Sequence, residues 1–236
     1  MLVGSIFVSR YLGPEEYGEF AIIQTTVNMV TELLGLAAGL SAAKYIAQYK
    51  KNDPQKASLY LSINILIAGC TGVLGWFVIS YFAGPIASQV LDNDQLVPLL
   101  MIGAYSLFFA SLVGGFTGAM NGLEAFSTTA KVSITVGFVS LISQVVAVIN
   151  FGLIGVVYAI LIVRAINAFL LFLNLKVKMK DSKMIFHFKG WQENIVNVLN
   201  FNIPALISSI LVVPVTWLGS VMLVNFSDYK ELGIFN

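Results

Sequence analysis

The sequence predicts an all-α, polytopic membrane protein, and three observations predict it. Only 11% of the 236 residues are charged while 58% are hydrophobic, with a mean hydropathy of +0.86. An average soluble domain carries about 25% charged residues. Six apolar runs approach or exceed the ~20 residues that a helix needs to cross a hydrocarbon core of about 30 Å. The lysines, finally, gather in alternate connections between those runs. A soluble helical core would need other protein to wrap the runs on every side, and so few charges cannot supply that wrapping.

The elements follow in order. Residues 1–8 are apolar but rise only about 12 Å at ~1.5 Å per residue, so they read as a truncated first helix and suggest a late start of the chain. "SRYLGPEEYGEF" follows, a Gly-Pro turn in which Pro14 suits the first turn of a helix and Glu15 and Glu16 suit its N-terminal dipole. The first complete run, 18–40, is the least apolar because Gln24, Asn28 and Glu32 recur along it. The runs 58–83, 95–118, 132–150 and 153–175 come next, the last two joined by a tight turn at Asn150 to Gly152. The sixth, 195–224, contains Pro204 and Pro214.

Lys44, Lys50, Lys51 and Lys56 lie between the first and second runs, Lys131 between the third and fourth, and Lys176, Lys178, Lys180, Lys183 and Lys189 after the fifth. If all six runs span, these fall on one side, which the positive-inside rule makes the cytoplasm of a multi-pass plasma-membrane protein. The opposite connections hold Asp92 and Asp94, the short Gly152 turn, and Asp228, Lys230 and Glu231.

Several function classes drop out. A net charge of +1 gives no electrostatic reason to expect nucleic acid. Cys70 is the only cysteine, which excludes an intrachain disulfide and a cysteine metal cluster, and it reads as a small buried hydrophobe. His187 is the only histidine and has no ligand partners at a recognisable spacing. No paired carboxylates, metal triad or nucleophile motif is present, so neither an enzyme nor a cofactor is expected. The N-terminus lacks the pattern of a cleaved secretory signal. The basic and aromatic stretch from Asn174 to Asn197 suits an interfacial linker.

Polar groups inside the runs need a reason. Arg164 stands about eleven residues into the fifth run, where a charge lines a cavity, snorkels to the headgroups or pairs with an acid. Gln24, Asn28 and Glu32, four residues apart, share one helix face that borders an aqueous cavity or forms a hydrogen-bonded seam. Asn64 and Gln144 read as packing amides. Lys44 is an interfacial anchor or a contact for anionic head groups. Gly35 and Gly39, Gly114, Gly118 and Gly122, and Gly69, Gly72 and Gly75 mark close helix approach. Pro204 and Pro214 each remove a backbone donor and are candidate hinges or static bends.

The stretches "SRYLGPEEYGEF", "GLAAGLSAAKYIAQY" and "FNIPALISSILVVPVTWLGSVMLV", with "YKELGIFN", carry a resemblance to a known family. The chain resembles the polysaccharide-exporter branch of the multidrug/oligosaccharidyl-lipid/polysaccharide flippase superfamily, the Wzx-like translocases, with Ser9 in place of the usual small residue before Arg10. The resemblance implies a MATE-like helical bundle. This chain would supply one six-helix lobe with its first helix truncated (1–175), a cytoplasmic basic linker (176–194), and the first helix of a second lobe with an external turn (195–236). It implies alternating-access flipping of polyprenyl-diphosphate-linked oligosaccharide for surface polysaccharide and O-antigen export, without a covalent step. Arg164 becomes the leading candidate for the diphosphate, with Arg10 and Lys44 behind it. Membrane lipids, a coupling H+ or Na+ with Glu32 as responder, and a glycan polymerase or glycosyltransferase are the implied partners. A drug or small-molecule antiporter of the same superfamily, or a non-functional truncated membrane fragment, is the alternative.

Residues 16–20, Glu-Tyr-Gly-Glu-Phe, match residues 231–235, Glu-Leu-Gly-Ile-Phe, at an offset of 231 − 16 = 215. Six runs lie between the two copies, as a parallel duplication requires. The chain is therefore expected to stop just as a second half begins.

Overall fold

The computed structural model describes residues 2–235, and the side chains of all of these except residues 2, 3 and 34–38. It is built of helices: α1 (Leu2–Tyr49), α2 (Pro54–Pro85), α3 (Leu96–Gly122), α4 (Phe126–Asp181), α5 (Trp191–Phe226) and α6 (Tyr229–Phe235). A π-helical turn, Ile86–Val90, widens the end of α2 and closes with Leu91 N–H donating to Ile86 O at 2.9 Å.

Two of these helices are too long to cross a bilayer once. At ~1.5 Å per residue the 48 residues of α1 would rise about 72 Å and the 56 of α4 about 84 Å. Each is broken at a glycine, Gly13 at φ 77° and Gly152 at φ 58°. L side chains rarely adopt a positive φ, so glycine sets both break points. The break at Gly152 is the turn expected between the fourth and fifth runs. No backbone break occurs at Pro204 or Pro214, where α5 continues through both residues.

By length and composition, four helical stretches qualify as membrane spans among the described residues: Pro54–Val90, Leu96–Gly122, Phe126–Asp181 and Trp191–Phe226. The Gly152 break makes two legs of the third. α1 is not among the four, and Gln24, Asn28 and Glu32 lower its hydropathy. Large side chains that water would not tolerate cover the outside, including Phe138 at 67% exposure and Leu211 at 70%.

The expected linker at 176–194 is shorter in the structure, because α4 continues to Asp181 and α5 starts at Trp191. Lys178 and Lys180 occupy the last turn of α4, where cations favour the helix C-terminus. The segment between them is held against α2: Ile185 N–H donates to Ser58 Oγ at 3.3 Å and His187 N–H to Ser62 Oγ at 2.9 Å. The turn expected after α5 contains α6, a seven-residue helix.

The lysine-rich connections share one end of the bundle, where Lys50 Nζ lies 3.0 Å from Glu124 Oε1. At the other end, hereafter the Gly13 end, Tyr11 donates to the Ile149 carbonyl at 3.2 Å and Asn93 to Glu19 at 2.9 Å. One apolar cluster fills the Gly13 end with Phe20, Ile22, Leu100, Val156 and Leu232. Another fills the lysine end with Ile46, Leu61, Phe116, Met120 and Leu175. Between the ends, α1 crosses α3 with backbones in contact: a methyl on Gly118 would overlap the backbone of Gly39. Gly122 likewise faces Ile46, Gly72 faces Phe108, and Gly35 lies outside the described side chains.

Candidate substrate site

The polar groups of α1, α3 and α4 meet between the two apolar clusters. α4 carries Arg164 about 18 Å from the Gly152 break, twelve residues on at ~1.5 Å each. Its guanidinium donates to Ser106 Oγ on α3 at 2.9 Å and to Asn28 Oδ1 on α1 at 3.0 Å. Ser106 Oγ in turn donates to the Gly103 carbonyl at 2.6 Å. Both partners of Arg164 are neutral. A guanidinium has five N–H donors, so two bonds leave donors to spare and, among the described residues, leave the charge without a counter-carboxylate bonded to it. Among the described residues, then, Arg164 forms no structural acid pair.

Gln24, Ser106 and Arg164 line a cavity of about 20 Å³ with Phe20, Ile23 and Val27. That is room for about one water. One helical turn further along α1, Asn28 and Glu32 face α5 across a cavity of 220 Å³ that Thr25, Thr216 and Trp217 also line. Glu32 also borders a cavity of 370 Å³ between α1 and α3, with Thr31, Thr117 and Asn121 supplying polar groups. The polar stripe of α1 therefore joins three openings, and Glu32 is shared by two of them.

Arg10 and Lys44 are not brought to this place. Arg10 is exposed next to the Gly13 break, and Lys44 is exposed towards the lysine end. Lys44 Nζ lies 3.9 Å from the centre of the Phe201 ring on α5 and 5.0 Å from that of Tyr45, within the range of a cation–π contact. The candidate cations thus stand at three levels: near one end, in the middle and near the other end.

Several residues were not foreseen from the sequence. Trp217 on α5 donates to Thr26 Oγ1 on α1 at 2.9 Å, while Thr26 itself donates to the Ile22 carbonyl at 2.7 Å. Asn202 is 2% exposed, two residues before Pro204, and its amide makes no hydrogen bond among the described residues. Ser106 is one serine among many in the sequence, and only folding brings it to Arg164. Asn64 donates to the Tyr60 carbonyl at 2.8 Å and accepts from Ser41 on α1 at 2.5 Å, while Gln144 donates locally to Ser140 Oγ at 2.6 Å. A wider apolar trough of 820 Å³ between α2 and α3 is lined by Leu66, Cys70, Phe77, Phe108, Phe186 and Phe188 among others. It lies away from the polar stripe, and Cys70 is exposed on its wall, contrary to the expectation of burial.

Comparison with known proteins adds a family and a fold. A family model described as polysaccharide biosynthesis protein matches residues 1–236. No curated protein matches the chain. Among solved structures, the chain is similar to a multidrug resistance MATE family transporter of the MOP superfamily in an inward-facing conformation. The TM-score is 0.86 at 16% identity, over 99% of this chain and 55% of that one. This chain thus spans about half the length of that transporter. At such identity the likeness is one of fold: a MATE-like, all-α membrane bundle.

Proposed function

Since the chain belongs to the polysaccharide biosynthesis protein family and folds as a membrane transporter of MATE type, we propose that it translocates polyprenyl-diphosphate-linked oligosaccharide units by alternating access. The observation that carries the proposal is the Arg164 guanidinium, held mid-bundle by Asn28 and Ser106 with no carboxylate bonded to it. A part-buried cation with no carboxylate bonded to it among the described residues favours an anionic ligand, and a diphosphate supplies oxygen acceptors for the donors left over. No bond is made or broken in the substrate: the anion is attracted, the cavity reopens, and the head group is released.

The roles of the other residues follow from their levels in the bundle. Lys44 draws the head group in at the lysine end, which is taken as cytoplasmic, and Arg10 meets it at the Gly13 end. The 20 Å³ around Arg164 admits no diphosphate, so α1 must move away from α4 for binding. Pro204 and Pro214, exposed and half-buried on α5, are the candidate hinges for the accompanying bend. Glu32, open to two cavities, is the candidate group for a coupling H+ or Na+. A glycan polymerase or glycosyltransferase in the plasma membrane would consume or supply the substrate, for instance in O-antigen export.

A second function, export of cationic drugs, is favoured by one observation. The 220 Å³ cavity places an acid, Glu32, opposite an indole, Trp217, a pair that suits an organic cation. The test is reconstitution in liposomes with a fluorescent lipid-linked oligosaccharide and an assay of head-group access from each leaflet. Arg164→Gln, at unchanged membrane level, is expected to lower the rate about tenfold or more, the loss of roughly 1.5–3 kcal/mol that a hydrogen bond to a charged group contributes. Efflux of cationic drugs without any movement of the lipid would replace the first function by the second.

A further inference from the structure

At the Gly13 end two helices touch through their backbones. Gly18 on α1 lies against the Tyr229 carbonyl at the start of α6, so close that a methyl on Gly18 would overlap it. Gly233 on α6 lies in the same way against the Pro14 carbonyl on α1. These are one contact met twice. Tyr229 follows Pro14 by 229 − 14 = 215 positions, and Gly233 follows Gly18 by 233 − 18 = 215. That offset relates Glu16, Gly18 and Phe20 to Glu231, Gly233 and Phe235, and it also sets Gly4-Ser5 on Gly219-Ser220. It even carries the break at Gly13 to Asp228, in the short gap between α5 and α6.

When residue i touches j of a second unit while j touches i of that unit, the contact is two-fold. The Gly18–Gly233 crossing therefore has the geometry of a contact between two equivalent units and not of packing within one. Its surroundings fasten it to the first unit. Leu232 is fully buried in the cluster that holds Tyr17, Phe20, Leu91 and Leu96, and the Tyr229 hydroxyl donates to the Leu91 carbonyl at 2.5 Å. Backbone packing of this kind has little adjustable range, since a gap of about 0.5–1 Å already forfeits a quarter to a half of the attraction. It is made or it is parted.

We propose that the Gly18–Gly233 crossing is the closing contact at the outer end of the transport route, and that it parts when the route opens outward. Its role rests on the carrier function proposed above; its two-fold geometry does not. Glycine at both positions is then required for closure, because any Cβ holds α1 and α6 apart.

The test uses the full chain in liposomes, with Cys70→Ser to remove the native thiol and Leu232→Cys as a buried reporter. A membrane-impermeant maleimide is added outside. Gly18→Ala and Gly233→Ala are each expected to speed labelling about tenfold or more, a factor within the effect of overpacking by one methyl. The double variant should add little, because both changes part the same contact. Gly137→Ala, a site with open space around it, should leave the rate unchanged. Ile46→Cys, fully buried at the lysine end, should stay protected in every variant. Unchanged labelling of Leu232→Cys in both glycine variants overturns the proposal, and so does an equal rise at Ile46→Cys, which reports loss of fold. Lipid-linked oligosaccharide access is measured in the same vesicles. Its absence, with labelling as expected, overturns the substrate and leaves the closing contact standing.

Discussion

The glycine crossings and the tyrosine cluster of the lysine end fasten α1 to its neighbours by opposite means. At Gly39–Gly118 and Gly18–Gly233 the backbones themselves touch. At the lysine end α1 meets α2 and α5 through long side chains. Tyr45 stacks on Tyr60 with ring centres 4.4 Å apart, and Tyr49 stacks on the same ring at 5.5 Å. The Tyr60 hydroxyl donates to Asn194 Oδ1 at 3.2 Å and the Tyr45 hydroxyl to the Asn197 carbonyl at 3.1 Å, both on α5. A backbone contact tolerates no added atom, whereas stacked rings and lysine stems can shift and keep part of their attraction. Rigid crossings suit joints that are closed or open; side-chain clusters suit joints that slide.

That contrast can be broken most severely at the middle crossing. Gly118→Leu should drive α1 from α3 and leave little folded protein, read as loss of the monodisperse species in detergent; a normal yield would show that the crossing adapts after all. Tyr60→Ala comes next. Removing a fully buried aromatic ring costs about 3–5 kcal/mol, and the unfolding midpoint should fall accordingly. Tyr60→Phe keeps the ring and loses only the bond to Asn194, about 1 kcal/mol, so the two variants measured together separate stacking from hydrogen bonding. Lys44→Met sharpens the comparison further, with an expected loss of about 0.5–1 kcal/mol for an exposed cation–π contact; retained stability would assign Lys44 to the substrate alone.

The smallest effect is a pH effect at Lys50 and Glu124. The hydrogen bond from Lys50, and then its charge, hold the Glu124 carboxyl below its ordinary value of 4.5. A lowered acid contributes above its unfolded value, and the contribution is lost as pH falls through the lowered one. Thermal stability should therefore decline slightly more below about pH 4.5 in the parent than in Glu124→Gln. Equal slopes would show that the pair contributes nothing, as many exposed ion pairs do.

The long runs and the glycine break at Gly152 were legible because hydropathy and local backbone preference act along the chain. Arg164 was legible for the same reason: a lone charge in an apolar run is conspicuous wherever it points. Its partners were not. Ser106 lies 58 positions away and Asn28 lies 136 away, and only packing selects them from the other small polar residues. Apolar neighbours in sequence point to burial of Cys70, which is exposed, because an apolar stretch facing lipid has the same composition as one facing a core. α5 stays helical through Pro204 and Pro214, whose part as hinges or static bends is a proposal, while the breaks in α1 and α4 fall at glycines. Each break in a long helix is set by a glycine at positive φ.

The bare charge of Arg164 has one more consequence, and it is electrical. One elementary charge crossing a membrane that holds 100 mV gains or loses about 2.3 kcal/mol. A guanidinium that bonds only neutral groups among the described residues carries that sensitivity undiminished. Any step that shifts α4 along the field, or brings an anion to Arg164 and takes it away, is then driven or opposed by voltage. On the carrier function proposed above, Arg164 returns to its starting place each cycle, so voltage biases the separate steps and does net work only on charge that the substrate carries across.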